Sequence, residues 1–593
     1  MKKKTHNYYG AGILLNTLFL AASIFLCEPK YEVSDDFLME TILSGAYGTT
    51  TNPHMLFVNI LYGKLLQPLY HIFPGINWYT ISLLSFGFLA CGGLTLILVH
   101  SLKGKRALFF NLLFLIFFSN DLFILLQFTK IASVCCFVGG LLIIYSLFHE
   151  ISEVKLIQKP FFFVYGIVLC FIGSLIRIYA VYLVAPFIIV AALYEGISNL
   201  VAKSNGARNY VLLIKRIVLC CFIVMVILGG HLIDQKTYNK NSEYQYYLQY
   251  ASVRGAIVDR QDYGYPEYAN DLKKIGISEN DYYMLCTWNF ADPEYFPLEK
   301  LQKISNIFQE HNRQQWQGFQ SIYNDILQRK YTSYPVCIAC IVLFLICMLW
   351  NTSNWKCYLL SCIPTGTLIF YFFVRGRVVY RVEFGIFLCA FLLLLYFYLR
   401  TPQPVTKENH RLLAAGIIAS VCMALHLPTY IPDSDYKLDQ VDSHKSYVDA
   451  VFDASWNYNP QKYRTVVNKT DLTNGLIDEM TKHPDNTYLL DFNTTIQSLY
   501  YDWSAFESLG TGYYKNFCYL SGVAMNFPDV NHSLQNMGIE NPLKDLIKEN
   551  VYLVDNVNSK IILIYLKEHY YPNAKIKWIK NVEGYDIWKL SAK

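Results

Sequence analysis

Long apolar runs alternate with short polar segments through the first two thirds of the chain. A transmembrane helix needs about 20 mostly apolar residues to cross about 30 Å of hydrocarbon. About eleven segments meet or approach that length, if the run 161–194 counts as two helices divided at Arg177. The predicted helices lie near 10–27, 77–99, 107–126, 128–148, 161–194 (two helices), 211–233, 335–350, 356–374, 381–399 and 411–427.

Three regions interrupt this pattern. Segment 54–73 is amphipathic but broken by Gly63, Lys64 and Pro68, which predicts an interfacial or re-entrant helix. Residues 234–334 are polar. Residues 428–593 include "NPLKDLIKEN", "VYLVD", "NSKIILIYLKEHYY" and "AKIKWIKN", whose patterns predict helix, strand, helix and strand.

The expected fold is an α-helical polytopic membrane protein with about eleven transmembrane helices, a mid-chain insertion and a small α/β C-terminal domain. The N-terminal transmembrane bundle would span 1–233 and contain the loop 28–76. The insertion would be 234–334, the C-terminal transmembrane helices 335–427 and the α/β domain 428–593.

Composition agrees with a lipid environment. Hydrophobic residues make up 54% of the chain and charged residues only 16%, whereas about a quarter of a soluble protein is charged. The basic, apolar N-terminus is typical of a signal peptide or a first transmembrane helix. No small-x-small cleavage site precedes Glu28, which favours an uncleaved helix.

The cysteines give no sign of a metal or redox site. Most lie inside apolar runs, where cysteine is a small hydrophobe. Cys337 and Cys340 have C-x-x-C spacing but no second pair or nearby histidine. Cys286 and Cys518 lie in polar regions and can pair only if the fold brings them together. No cofactor is expected, and the participation of a divalent metal is left open.

Basic residues predict the orientation in a cell membrane. Lysine and arginine are enriched in cytoplasmic loops, and with a cytoplasmic N-terminus every short inner loop is basic. The insertion and the C-terminal domain are then extracytoplasmic. The inner residues are Lys2, Lys3, Lys4, Lys103, Lys105, Arg106, Lys155, Lys159, Lys203, Arg208, Lys215, Arg216, Lys356, Arg400, Lys407 and Arg411.

This topology places an unusual arginine cluster on the outer side. "FVRGRVVYRVEF" holds Arg375, Arg377 and Arg381 in a tight connection where the charge rule disfavours them. Guanidinium groups bind phosphate bidentately, so the cluster is a candidate anion site. Snorkelling to headgroups, or internal pairing with Glu383, is the structural alternative.

An acidic pair lies at the same predicted level. Asp35 and Asp36 follow the first helix, with Glu40 one helical turn after Asp36. One of the two acids can be explained as a helix cap or a favourable charge at a helix N-terminus. Two adjacent acids leave one without that explanation.

Two more cations belong to this outer level. Lys130 lies with Asp121 at a predicted helix–helix turn, where both can simply form a polar hairpin tip. Arg177 interrupts a 34-residue apolar run, and an intramembrane arginine usually has a partner or a ligand.

Other signals limit the function further. The insertion is rich in tyrosine and tryptophan, whose faces suit sugar rings but also a core or a membrane surface. The sequence contains no P-loop, dinucleotide-binding turn or H-E-x-x-H motif. A nucleic-acid partner is not indicated.

The arrangement of residues 1–427 resembles the GT-C class of integral-membrane glycosyltransferases, which includes protein mannosyltransferases and bacterial O-antigen glucosyltransferases. The shared features are a basic N-terminus, one helix, an outer loop with an acidic pair and interfacial helices, and about ten further helices. The acidic pair is Asp35-Asp36. The insertion 234–334 is larger than in many members.

The resemblance implies transfer of a sugar from a polyprenyl phosphate to a glycan or lipid acceptor of the bacterial cell envelope. It implies that Asp35 or Asp36 is the general base. The implied phosphate ligands are Arg177, Arg375, Arg377, Arg381 and Lys130. An envelope-polysaccharide polymerase or ligase is the alternative enzyme, and a transporter or flippase is the non-enzymatic alternative.

Overall fold

The computed structural model describes most of the 593 residues. The residues outside the description are 1, 28, 103, 149–155, 158, 202–205, 259–264, 315–318, 330, 332–333, 351–354, 376–377, 401–471, 493–503, 557, 584 and 593. The predicted span 411–427 and Arg377 therefore lie outside it.

Apolar helices dominate the N-terminal half. The elements are α1 (Lys2–Leu26), β1 (Lys30–Tyr31), α2 (Ser34–Leu43), α3 (Ile60–Ile72), α4 (Trp78–Ser101), α5 (Lys105–Ser119), a π-helix (Asn120–Ile124), β2 (Leu125–Leu126), α6 (Phe128–Phe148), α7 (Pro160–Ile176), α8 (Ile178–Val201) and α9 (Gly206–Tyr238).

The insertion is helical, and apolar helices follow it. The insertion contains α10 (Ser242–Val258), α11 (Tyr265–Lys274), α12 (Glu279–Cys286), α13 (Leu298–Gln314) and α14 (Phe319–Gln328). The apolar helices are α15 (Pro335–Trp350), α16 (Trp355–Leu359), α17 (Cys362–Val374) and α18 (Tyr380–Arg400).

The structure confirms a multi-pass helical architecture. Among the described residues, eight helices are long and apolar enough to cross a membrane, and α7 and α15 are shorter apolar helices at predicted positions. The total of about eleven spans, and the orientation of the termini, stay predictions.

Helix α6 is the centre of the bundle and is buried along its whole length. Glycines let α7 approach it closely: a Cβ on Gly139 would lie 2.7 Å from the carbonyl oxygen of Gly166. A Cβ on Gly173 would lie 2.9 Å from the carbonyl oxygen of Ala132. Small residues at helix interfaces permit such backbone contact within membranes.

A buried polar cluster joins α1, α4 and α5. The Asn16 amide donates to Thr95 Oγ1 (3.0 Å), and Thr95 donates to Asn111 Oδ1 (3.0 Å). Asn111 Nδ2 donates to Asn16 Oδ1 (2.9 Å), which closes the cycle. These hydrogen bonds fix the first helix, and hence the loop that follows it, against the bundle.

We expect Asn111→Ala to lower the stability of the bundle by about 1 kcal/mol, the usual range for interhelical hydrogen bonds in membranes. Unfolding by SDS in mixed micelles measures this loss. Thr17→Ala is the control, because Thr17 bonds only within its own helix and is exposed. An equal loss in both variants would contradict a special role for the cluster.

The C-terminal domain contains a five-stranded mixed sheet, which confirms the small domain with strands. Its elements are α19 (Leu472–Thr481), β3 (Thr487–Leu490), β4 (Phe517–Tyr519), α20 (Pro528–Asn536), a 3-10 helix (Lys544–Ile547), β5 (Val551–Val554), α21 (Ser559–His569), β6 (Lys575–Val582) and β7 (Tyr585–Ser591). The strand order is β4-β3-β5-β7-β6, with β4, β3 and β5 parallel and the other pairings antiparallel.

Three of the four elements predicted in this domain form as expected: β5, α21 and β6. "NPLKDLIKEN" forms only a single 3-10 turn, because the Asp545 carboxylate accepts from the backbone N–H groups of Glu540 and Asn541 and closes a tight loop. Cys286 and Cys518 are both buried and not bonded to each other.

The C-terminal domain lies on the loop that follows α1. The N–H of Gly512 donates to the Gly45 carbonyl (3.1 Å), and the N–H of Tyr514 donates to the Ala46 carbonyl (3.0 Å). The Tyr514 ring stacks on Tyr47 with centroids 4.3 Å apart. The domain therefore packs against residues 45–47, directly after the helix α2 that carries the acidic pair.

Candidate functional site

The acidic pair occupies the first turn of α2. The N-cap residue is Val33, which has no side chain able to cap, so neither acid is the N-cap of α2. Strand β1 holds the turn in place, because Lys30 and Tyr31 pair in parallel with Leu125 and Leu126. Both carboxylates retain the favourable interaction with the helix N-terminus.

Asp36 points into the bundle and is fully buried. Its Oδ1 accepts from the Tyr79 hydroxyl (2.8 Å) and from the Phe128 N–H (3.0 Å). Its Oδ2 has no hydrogen-bond partner among the described residues. Burial raises the pKa of Asp36 well above its usual range, against the two hydrogen bonds that lower it. Asp36 thus anchors α2 to α4 and α6.

Asp35 is on the open side of the same turn, with 17% of its side chain exposed. Its Oδ2 lies 4.0 Å from Nη2 of Arg381, in the first turn of α18. The Arg381 side chain is 27% exposed. The structure therefore brings one predicted base and one predicted phosphate ligand into contact at a surface that solvent reaches.

Lys130 is fully buried beneath this surface. Its Nζ lies 2.5 Å from Asp121 Oδ1 and also contacts the Glu32 carboxylate. Asp121 accepts in addition from the Tyr380 hydroxyl (3.1 Å). Burial raises the pKa of Glu32 to about 6, although the Lys130 charge lowers it. The Lys130 ammonium already binds two carboxylates. The cluster therefore links β1 to α6 and α18.

Arg177 sits between α7 and α8, close to the acidic pair. Its guanidinium donates to the Phe57 carbonyl (3.4 Å) and lies 5.1 Å from the Phe128 ring centroid. The Phe128 backbone is the one that donates to Asp36. Arg177 is half-buried and also lies over the rings of Phe57 and Tyr179.

Arg375 and Arg381 lie at the ends of different helices. Arg375 is exposed at the end of α17, with its guanidinium 6.0 Å from the Tyr371 ring centroid. Arg377 lies outside the described residues. Glu383 has another partner: Arg329 of the insertion bonds both its oxygens, with Nη2 to Oε2 at 2.8 Å.

Glu40 joins the acidic helix to the C-terminal domain. It is buried, and its Oε1 accepts from the Ser508 hydroxyl (2.8 Å). Burial raises the pKa of Glu40 from 4.5 to about 8, outweighing the hydrogen bonds from Ser508 and Ser44 that lower it. At neutral pH Glu40 is therefore mostly protonated, which lets the domain cover it without an uncompensated charge.

The raised pKa of Glu40 predicts that the stability of the protein depends on pH and that Glu40→Gln removes this dependence. Between pH 4.5 and about 8 the unfolded chain loses the Glu40 proton while the folded protein keeps it, so stability falls as the pH rises and is constant above that window. We expect the melting temperature of wild type to fall relative to that of Glu40→Gln between pH 5 and 8. Thermal unfolding of the full chain measures this difference.

Glu294→Gln is the matched control, because Glu294 is exposed and bonds Lys544 at the surface. It is expected to keep the wild-type slope. Equal slopes in wild type and Glu40→Gln would contradict the raised pKa and the role of Glu40 at the domain contact.

The insertion also contacts the C-terminal domain. In α10, Tyr247 is buried and donates to the Val523 carbonyl (3.3 Å) of the C-terminal domain. Burial raises the pKa of Tyr247, and the negative charge of Asp35 acts in the same direction. The insertion thus packs against the C-terminal domain through α10.

Sequence reasoning missed several residues of this region. Glu32 stands in the same quoted loop as the acidic pair, yet nothing in its spacing shows that it meets Lys130. Tyr247 and Arg254 do carry a signal, since Tyr244, Tyr247 and Arg254 share one face of a tyrosine-rich helix. Ser508 and Arg329 are found only through tertiary contacts.

Two histidines near this region, His54 and His71, bind other groups than the acidic pair. His54 stacks on Tyr244 with centroids 4.1 Å apart, and burial lowers its pKa to about 4. His71 Nε2 contacts Thr51 Oγ1 (3.1 Å). Both histidines have structural partners.

Within the described part of the chain, one group of side chains has the spacing of metal ligands. Atoms of Asp281, Glu568 and His569 lie within 4.8 Å of one another. His569 Nε2 is 2.7 Å from Asp281 Oδ1, and Ser278 donates to Glu568 (2.8 Å). These hydrogen bonds account for the cluster as a contact between the insertion and α21.

Comparison with family models, with curated proteins and with solved structures gives no match to this chain. The site must therefore be interpreted from its own geometry.

Proposed function

We propose that this protein is a membrane glycosyltransferase that moves a sugar from a polyprenyl phosphate to a cell-envelope acceptor on the outer face. The observation that carries the proposal is the contact between Asp35 and Arg381, 4.0 Å apart and both partly exposed. Sugar transfer from a phosphate needs a base for the acceptor hydroxyl and positive charge for the leaving phosphate, and this contact brings both kinds of group to one surface.

Asp35 is the better base of the two acids. A general base must reach the proton that it removes, and Asp35 is partly exposed whereas Asp36 is fully buried. Asp36 is hydrogen-bonded to Tyr79 and Phe128, so it orients the turn that carries Asp35.

The proposed step is a single inverting displacement. The acceptor hydroxyl oxygen forms a bond to the anomeric carbon as its proton passes to the Asp35 carboxylate. The bond between the anomeric carbon and the phosphate oxygen breaks, and its electron pair leaves with polyprenyl phosphate. Arg381 stabilises the charge that develops on that phosphate.

The other predicted ligands take different places in this proposal. Arg177 borders the acidic pair through Phe128 and is the second candidate phosphate ligand. Lys130, bound to Glu32 and Asp121, supports the site from below. Arg375 and Arg377 stay predicted phosphate ligands.

Thermal unfolding with added lipid tests the donor half of the proposal. A polyprenyl phosphate is expected to raise the melting temperature of the full chain in detergent, because a ligand of the folded state stabilises it. The polyprenol without phosphate is the matched control and is expected to have a smaller effect. Equal effects of the two lipids would contradict a phosphate site.

A further inference from the structure

One buried arginine, Arg254, has no carboxylate partner among the residues that the structure describes. Arg254, in α10, is 5% exposed. Its Nη1 donates to the Val523 carbonyl of the C-terminal domain, and its guanidinium lies 5.7 Å from the Trp288 ring centroid. Its Nε is buried and makes no hydrogen bond with any described residue.

Other cations in the fold have carboxylate partners. Lys130 contacts two carboxylates, Arg329 binds Glu383, and Arg400 binds Glu195. Among the described residues Arg254 makes no such ion pair. A buried charge without a counter-charge is unfavourable, so this position is suited to an anion supplied from outside the chain.

The location links Arg254 to the proposed reaction. Tyr247 lies two helical turns before Arg254 on the same face of α10 and shares the Val523 carbonyl with it. Helix α10 also meets the loop that follows α2, because the Asn52 amide donates to the Tyr244 hydroxyl (2.7 Å). Arg381 lies on the α18 side of Asp35, and Arg254 belongs to the insertion side. Since Arg381 is the proposed ligand of the donor phosphate, Arg254 is available to bind the acceptor.

The backbone beside Arg254 is strained. Trp288 has φ of 67°, a left-handed conformation that a bulky side chain rarely adopts. This conformation places the indole between Arg254 and Phe492, whose ring is stacked 6.4 Å away. Strain held at such a position is often functional.

We propose that Arg254 binds an oxyanion, a phosphate or a carboxylate, carried by the acceptor. The acceptor class is then an acidic envelope glycan or a phosphate-bearing lipid or polymer. This inference rests on the proposed function for its assignment to the acceptor, but the anion site itself does not depend on transfer.

Ligand binding to the full chain in nanodiscs tests it. The probes are inorganic phosphate, glucuronate and neutral glucose, and the readouts are the melting temperature and tryptophan fluorescence. Wild type is expected to show a saturable response to phosphate or glucuronate but none to glucose. Whichever anion is bound more tightly identifies the acidic group.

Variants separate this site from the donor site. Arg254→Gln is expected to lose the glucuronate response and the part of the phosphate response that Arg381→Gln retains, because the donor site proposed at Arg381 also binds phosphate. Arg254→Lys is expected to weaken that response at least about tenfold, because a point charge replaces the bidentate fork. Lys548→Gln, an exposed lysine of the C-terminal domain, is the control for charge. If Arg254→Gln does not fold, Arg254→Lys alone decides.

Loss of the response in Arg381→Gln but not in the Arg254 variants would overturn the inference, as would the absence of a saturable response in wild type. An anion response of the Arg254 variants equal to that of wild type would also overturn it, whatever their melting temperature without anion, because Arg254 would then be only a strut between domains. If anion binding depends on Arg254 but no donor supports transfer, the anion site stands and the proposed function fails.

Discussion

Asp35→Asn is expected to lower the rate of sugar transfer by about 10²–10⁴-fold, the usual contribution of a general base. Asparagine keeps the shape of the side chain but cannot accept the proton of the acceptor hydroxyl. Asp35 is partly exposed, and its ion pair with Arg381 is long, at 4.0 Å. We therefore expect folding to be nearly unchanged. The initial rate of transfer and the melting temperature of the same preparation measure the two effects.

Asp271→Asn is the matched control, since Asp271 is an exposed carboxylate of the insertion that bonds Lys274. It is expected to retain wild-type activity. If instead Asp36→Asn abolishes transfer in a folded protein and Asp35→Asn does not, the base is Asp36 and the roles of the two acids are exchanged.

Arg381→Gln is expected to lower kcat/KM by about 10- to 100-fold, which corresponds to the loss of a hydrogen bond to a charged group. Part of the effect should appear in kcat, because the phosphate gains charge as the sugar leaves. Arg381→Lys should recover only part of the activity, since an ammonium cannot bind phosphate bidentately. Steady-state kinetics with the donor as the varied substrate measures both.

The control here is Lys274→Gln, which removes an exposed cation of the insertion without touching the acidic loop. It is expected to leave kcat/KM unchanged. A wild-type kcat/KM in Arg381→Gln would show that Arg381 only neutralises Asp35, and the phosphate site would have to lie elsewhere.

Hydropathy predicted the helical architecture well, because a run of apolar residues is a local property of the chain. Arg177 divides one such run, and α7 and α8 meet there as expected. The C-terminal domain was predicted less completely: short strands such as β4 and β7 depend on their neighbours, and their patterns are weak without them.

The candidate site was predicted only in part, because contacts between distant segments decide it. The proximity of Asp35 to Arg381 agrees with the expectation of an acid and an arginine at one level. The partner of Glu383 was not foreseen, since Arg329 is 54 residues away in the insertion. The contacts of Glu32 with Lys130 and of Ser508 with Glu40 also join distant segments, so they were not predicted from the sequence.

The most direct measurement is the release of polyprenyl phosphate by the purified protein in proteoliposomes, given a panel of polyprenyl-phosphate hexoses and isolated envelope glycan. The account predicts release equal to the amount of new glycoside, inversion at the anomeric carbon, and loss of both in Asp35→Asn. Absence of release from every donor, retention of configuration, or equal release by wild type and Asp35→Asn would contradict it.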